Sequence, residues 1–281
     1  MPTPALYRAG SGEQLLLLHG FTGAWHHWRP VLGELVARYE VVAPTIAGHD
    51  GGPPYPIDGP LTLAGATDWL EGYLDELGVD TPHVAGNSMG GTLALELAKR
   101  GRARTVVAIA PGGGWTQGDG ESRRVGRLFR RQIYSARAAG PRVATVMRLS
   151  ALRHVAMRDF MRHGGRVPPA DAVDLATAFE RCAIADRVLA ALRADTGVTL
   201  EDLDRITCPV LLVSPQFDRT LPPARNAPRL RREIPGVESV VLPGCGHVPM
   251  WDDTRLVVRT ISGFVDRHAL AGAGEVPSTV A

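Results

Sequence analysis

Hydrophobic positions in this chain follow two alternating rhythms. Short, nearly continuous apolar runs recur at "LLLLHG" (15–20), "YEVVAP" (39–44), "PHVAGNS" (82–88), "TVVAIAP" (105–111), "CPVLLVSP" (208–215) and "VESVVLPG" (237–244). Runs of this kind suit strands buried on both faces, as in a parallel sheet covered by helices. Between them apolar residues return every three or four positions, the spacing of a helix with one buried stripe. Trp28, Leu32, Leu35 and Val36 form one stripe; Ala66, Leu70, Tyr73, Leu74 and Leu77 form another, closed by Gly78. A third helix is predicted from Ser88 to Arg100 with Gly101 as its stop, and a last one from about Thr254 to His268, with Leu256, Val257, Ile261, Phe264 and Val265 inward. The alternation of strand and helix predicts an α/β fold with an open, mostly parallel, doubly wound sheet.

One region breaks the rhythm. From Trp115 to about Leu200 no strand is predicted, only helix-like segments rich in Arg, Ala and Leu. The chain therefore divides into a core of residues 1–114 and 201–270, a helical cap inserted at 115–200, and a small polar tail at 271–281, expected to fray. A length of 281 residues, 44% hydrophobic and 21% charged, describes one globular unit with an insertion. The net charge of +2 gives no footprint for general nucleic-acid binding. The N-terminus lacks a basic region and a long apolar core, so no signal peptide is predicted, and no run reaches the roughly 20 residues a membrane span needs. Cys182, Cys208 and Cys245 are scattered and odd in number, which suggests no disulfide framework and a cytoplasmic setting.

Four strand ends carry groups suited to acyl transfer. "GNSMG" (86–90) places Ser88 in a G-x-S-x-G between a strand and a helix, where the turn lifts the hydroxyl clear of the sheet. A serine needs a base, and His247 in "PGCGHVPMWDD" follows a strand by a short Gly-rich loop. The base needs an acid to set its tautomer, and Asp218 in "LLVSPQFDRTLP" lies just past the preceding strand. Asp252 and Asp253 are the alternatives, although at the start of the last helix they are better placed to cap it. An oxyanion would find donors in the Met89 N–H and, in the "HGFTG" loop, the Phe21 N–H. His19 is expected to brace that loop. His26, His27 and His49 lack metal-ligand spacing, so neither a metal nor another cofactor is expected.

With "HGFTG", "GNSMGG", "SPQFDRTLP" and "GCGHVPMWDD" assembled, the chain resembles the α/β-hydrolase superfamily, specifically its cap-bearing, esterase-like serine hydrolases. The resemblance spans residues 10 to 268 and is weakest over the cap. It implies Ser88 as nucleophile, His247 as base, Asp218 as acid, and Phe21 with Met89 as oxyanion hole. Serine at the elbow argues against the haloalkane dehalogenases and epoxide hydrolases of this fold, which use aspartate there. "AGHDGG" (47–52) departs from the usual G-H-G-x-S. "GNSMGG" also resembles the elbow of carbon–carbon bond hydrolases acting on ring-fission products, but those typically carry Trp directly after the histidine, where this chain has Val248.

The expected partner is a small acyl substrate, with no nucleic acid and no stable membrane insertion; a homodimer is an open option. Trp25, Trp115, Met250 and Trp251 are the candidate pocket liners. Arg123, Arg124, Arg127, Arg130 and Arg131 read as a solvated cap face, with an anionic substrate tail as the sharper alternative. A slow-turnover receptor that kept the same residues is the third functional option.

Overall fold

The computed structural model describes residues 5–56 and 60–273, with side chains as far as 269. In chain order the core begins with β1 (Leu6–Ala9), β2 (Gln14–Leu18), α1 (Arg29–Val36), β3 (Glu40–Pro44), α2 (Leu63–Glu76), β4 (His83–Asn87), α3 (Met89–Lys99) and β5 (Thr105–Ile109). Five helices follow: α4 (Glu121–Ala139), α5 (Val143–Arg148), α6 (Ser150–Met157), α7 (Pro169–Glu180) and α8 (Ala185–Ala194). The core resumes with β6 (Val210–Pro215), α9 (Pro223–Glu233), β7 (Glu238–Leu242) and α10 (Thr254–Ala273). The last helix runs through residues 271–273 of the expected tail, and the rest of that tail, 274–281, lies outside the described residues.

The strands form one seven-stranded sheet in the order β1-β3-β2-β4-β5-β6-β7. All neighbours are parallel except β1, which runs antiparallel to β3 with Leu6 opposite Pro44 and Ala9 opposite Val41. The apolar runs from 15 to 244 became β2 to β7, and β1 is an edge strand the hydrophobic pattern did not announce. Leu15 to Leu18 are all fully buried because successive side chains point to opposite faces. Leu15, Leu17, Val107 and Val213 pack with Trp28, just before α1, with Leu35 of α1 and with Ile261 and Phe264 of α10. Leu16, Leu18, Val106 and Leu212 pack with Leu70 of α2, Leu93 and Leu97 of α3, and Leu230 of α9. This is the α/β-hydrolase fold.

After β2 the chain winds outward to β3 and then returns, so that β4 pairs β2 on its other side. The loops after β2 and β4 consequently diverge from adjacent carboxyl ends, the crevice where open α/β sheets place their ligands. The five helices from α4 to α8 lie in the chain between β5 and β6, with no strand among them.

Candidate functional site

Ser88 stands between β4 and α3 at φ 55°, ψ −119°, a backbone state that side-chain-bearing residues rarely adopt. The strain is held by its neighbours. Ser88 N–H donates to Ile109 O at 2.9 Å, and Thr92 N–H donates to Ser88 O at 3.0 Å. The flanking glycines are required by contact: a Cβ on Gly86 would meet Gly90 O at 2.1 Å, and one on Gly90 would meet Leu18 O at 2.0 Å. The turn is thus pressed against both its helix and the neighbouring strand β2, and non-reacting segments hold the serine in place.

His247 lies in the loop after β7, fully enclosed, with Nδ1 2.7 Å from Asp218 Oδ2. The other carboxylate oxygen, Oδ1, accepts Leu221 N–H at 2.7 Å, so Asp218 is oriented through both oxygens. A carboxylate facing Nδ1 puts the imidazole proton there and leaves Nε2 as the lone-pair nitrogen. That Nε2 is buried and has no hydrogen-bond partner among the described residues. The histidine loop is pinned from below, where Asn87 Nδ2 donates to His247 O at 2.9 Å, and from above, where Val248 N–H donates to Phe160 O at 2.8 Å.

The loop after β2 completes the floor. Gly20 lies against Ser88, since a Cβ there would be 3.2 Å from Ser88 Cβ. His19 Nδ1–H donates to Gly20 O at 2.8 Å while its Nε2 accepts Ile46 N–H at 2.9 Å, the bracing role expected of it. Thr22 takes φ 65°, a strained state for a β-branched residue, and its hydroxyl donates to Phe21 O. Phe21 N–H has no acceptor among the described residues. Met89 N–H belongs to the first turn of α3, where amides lack an intrahelical acceptor.

The histidines under this loop are neutral. Burial, with His49 nearby, holds His19 well below its ordinary value. Burial and then His26 and His49 push His27 down to about 3, and burial takes His49 to about 4. Burial raises the Cys182 and Cys245 thiols to about 12 and Cys208 to about 11, so none is a thiolate nucleophile near neutral pH.

Ser88 and His247 open on one cavity of about 370 Å³. Its floor includes Phe21 and His27; its roof comes from the segment between β5 and β6, through Phe129, Met147, Met157 and Phe179 on helices and Phe160 in the turn after α6. The aromatic rings form a connected wall, with centroids 5.0 Å apart for Phe21–Phe129, 5.8 Å for Phe129–Phe160 and 5.3 Å for Phe160–Phe179. The Phe160 ring also lies 6.5 Å from that of His247.

None of the four expected liners reaches this cavity. Trp25 stacks on Tyr7 of β1 at 5.2 Å. Trp115 is buried in a cluster with Phe21 and Val125, Met250 is wholly enclosed in the core, and Trp251 packs against that core. Phe129, on a helical stripe with Val125 and Ile133, is the one roof residue that periodicity could have signalled; the other liners needed the tertiary arrangement. Asp252 is also corrected. Only Asp253 caps α10, accepting Leu256 N–H at 2.9 Å. The Asp252 carboxylate instead accepts three amides, from Gly246 at 2.7 Å, Arg162 at 2.9 Å and His163 at 2.6 Å.

A model of the alpha/beta hydrolase family matches residues 15–260, and the chain belongs to that family. The epoxide hydrolase EphH of Mycobacterium tuberculosis is 30% identical over 214 residues, covering 73% of this chain and 96% of the relative. Among solved structures, an esterase from Thermogutta terrifontis superposes with a TM-score of 0.72 at 22% identity, over 94% of this chain and 93% of the other. A meta-cleavage product hydrolase from Pseudomonas fluorescens IP01 gives 0.73 at 19%, over 93% of each chain. Both structural likenesses speak to fold alone. No helix among the described residues is long and apolar enough to cross a membrane.

Proposed function

We propose that this member of the family is a serine hydrolase that cleaves an ester or related acyl bond of a small, largely apolar substrate. The observation that carries the reading is that strained Ser88 and the Asp218-held His247 share one apolar cavity. His247 Nε2 takes the Ser88 proton as Oγ attacks the acyl carbon, and Asp218 stabilises the imidazolium. The Phe21 and Met89 N–H groups hold the oxyanion. His247 then gives its proton to the leaving group, and a water activated by the same nitrogen releases the acid and restores Ser88. The helices from α4 to α8 act as the cap that keeps bulk water from the acyl-enzyme. Neither a metal nor an organic cofactor enters the scheme. The three cysteines, unpaired with one another, fit the reducing, cytoplasmic setting of this reading.

Epoxide opening of the kind its relative is named for would need a carboxylate nucleophile at the elbow, and this chain has Ser88 there. The test is a fluorophosphonate probe with a chromogenic ester. Stoichiometric labelling at Ser88 is expected, abolished in Ser88→Ala and strongly slowed in His247→Ala, with ester turnover at about 1 s⁻¹ or faster. Absence of labelling in folded protein overturns the reading. One equivalent of product and no more would mark a receptor. Faster cleavage of a vinylogous diketone acid than of any ester would mark a carbon–carbon bond hydrolase.

A further inference from the structure

Charge is distributed over this molecule very unevenly. Between Ser122 and Arg158, 37 residues contain ten arginines and not one aspartate or glutamate, in a chain whose total charge is only +2. Four of the ten are engaged. Arg124 pairs with Glu121, Arg131 with Asp159 and Arg137 with Asp186, and buried Arg153 donates to the carbonyls of Met147, Arg148 and Gly165. Arg123, Arg127, Arg130, Arg142, Arg148 and Arg158 are exposed, with no carboxylate within ion-pair distance among the described residues. Counter-ions or a partner must balance them.

The same segment exposes aliphatic side chains. Leu149 is 58% exposed, Leu152 42% and Val155 58%, spaced three apart along α6 and the residue before it. The opposite side of α6 is satisfied, burying Arg153 and Met157. Val155 also lines the cavity that holds Ser88, beside Val146 and Arg158, so the exposed aliphatic row reaches the cavity wall. A segment that turns aliphatic side chains outward from α6 and the residue before it, with unpaired Arg142, Arg148 and Arg158 flanking that helix, matches a membrane boundary, with aliphatic groups at the acyl level and guanidinium groups at the phosphates.

We propose that the α5–α6 face of the cap docks on an anionic lipid surface, with Leu149, Leu152 and Val155 entering the boundary and Arg142, Arg148 and Arg158 meeting lipid phosphates. A lipid sheet is favoured over an acidic protein because the face is cationic without interruption and its apolar groups are aliphatic. Protein interfaces concentrate aromatic side chains and place both charge signs at their rims. Docking in this orientation sets the cavity wall against the acyl layer, so an amphiphile could enter with its chain first. That delivery rests on the acyl-hydrolase reading; the docking does not.

The test is co-sedimentation of the full chain, wild type and Ser88→Ala, with vesicles of phosphatidylcholine alone and of phosphatidylcholine mixed with phosphatidylglycerol. Binding is expected to the mixed vesicles only, in both proteins, and to weaken as salt rises. Arg142→Glu with Arg148→Glu should lower that binding roughly 100-fold, and Leu149→Ser with Leu152→Ser at least roughly 10-fold. Both variants should keep the wild-type circular dichroism melt and, if the hydrolase reading holds, turnover of a soluble short ester.

Equal binding to both vesicles, no binding to either, or indifference to both variants overturns the proposal. So does capture by polyglutamate without vesicle binding, which would assign the face to an acidic protein. Dissociation of an oligomer by the leucine variant in gel filtration would assign it to a second copy of the chain, and overturns it too. Vesicle binding by a protein that never labels at Ser88 would sink the hydrolase reading and leave the docking intact.

Discussion

Asp218 holds the proposed base through one oxygen and a backbone amide through the other, so an amide in its place is nearly isosteric but electronically wrong. Asp218→Asn can keep the Leu221 contact with its oxygen and must then turn its NH2 toward Nδ1. The imidazole responds by carrying its proton on Nε2, where the lone pair is needed. Turnover should fall by about 10⁴-fold with little change in stability, the magnitude known for this change in a serine protease. Steady-state kinetics with a thermal melt checks it; a near-normal rate would remove Asp218 from the mechanism. The positions of Ser88, Asp218 and His247 could be read from sequence because each lies within five residues of a strand's carboxyl end, and strand ends of a parallel sheet face one crevice. The pocket was not legible. Trp25 and Trp115 looked suitable because they sit near strand ends, but Trp25 was taken up by Tyr7 of an unannounced strand, and Trp115 by packing beneath α4. His27, with both ring nitrogens buried and unpartnered among the described residues, carried no signal at all.

At the scale of elements, Asp252 joins two pieces of chain that are far apart in sequence. Its carboxylate gathers Gly246 N–H from the His247 loop and Arg162 and His163 N–H from the segment after α6. Hydrogen bonds to a charged acceptor are each stronger than neutral ones, and their loss strands the amides that made them. Asp252→Ala should therefore destabilise the protein by about 2–4 kcal/mol and slow turnover by loosening the base. Asp253→Ala removes one N-cap contact and should cost about 1 kcal/mol with activity kept. Urea unfolding and kcat on the two variants decide between them; equal effects would refute the tether. From sequence the two aspartates are indistinguishable, adjacent and equally close to a helix start, and only the fold separates them. Two elements escaped the hydrophobic pattern for related reasons. β1 is four residues long at the sheet edge with no fully buried side chain, and so lacks an apolar run. α9 starts on Pro223, contains Pro228 and buries only Asn226, Ala227 and Leu230, so its prolines read as breakers. A first-turn proline is compatible with a helix, and Pro228 is accommodated because Leu230 anchors the far turn in the core.

The architecture of the whole molecule followed from the rhythm of the chain, since alternating strands and helices permit few topologies and the long helical stretch had to leave and rejoin the sheet. What the rhythm could not show is that His49, from the segment after β3, joins His19, His26 and His27 under the loop after β2. Ring centroids lie 5.0 Å apart for His19–His49 and 5.7 Å for His26–His27. Each is held below its ordinary value of 6.5, burial being the first cause in every case. Folded protein thus keeps these rings neutral in a range where the unfolded chain protonates them. The unfolded state binds more protons there, so stability rises with pH through the window and is lost as pH falls below about 6.5. For His27 the window extends down to about 3 and for His49 to about 4. Each histidine contributes a slope of up to about 1.4 kcal/mol per pH unit, and several together are large against a typical domain stability of about 5–15 kcal/mol. Urea unfolding should show a steep loss between about pH 7 and about pH 5, above the range where carboxylates titrate. His27→Phe should flatten that slope by about one proton, because its folded-state ring no longer differs from its unfolded one in protonation. A stability that is level across this interval, or a slope unchanged in His27→Phe, would mean that the histidine layer is already solvated in the native protein.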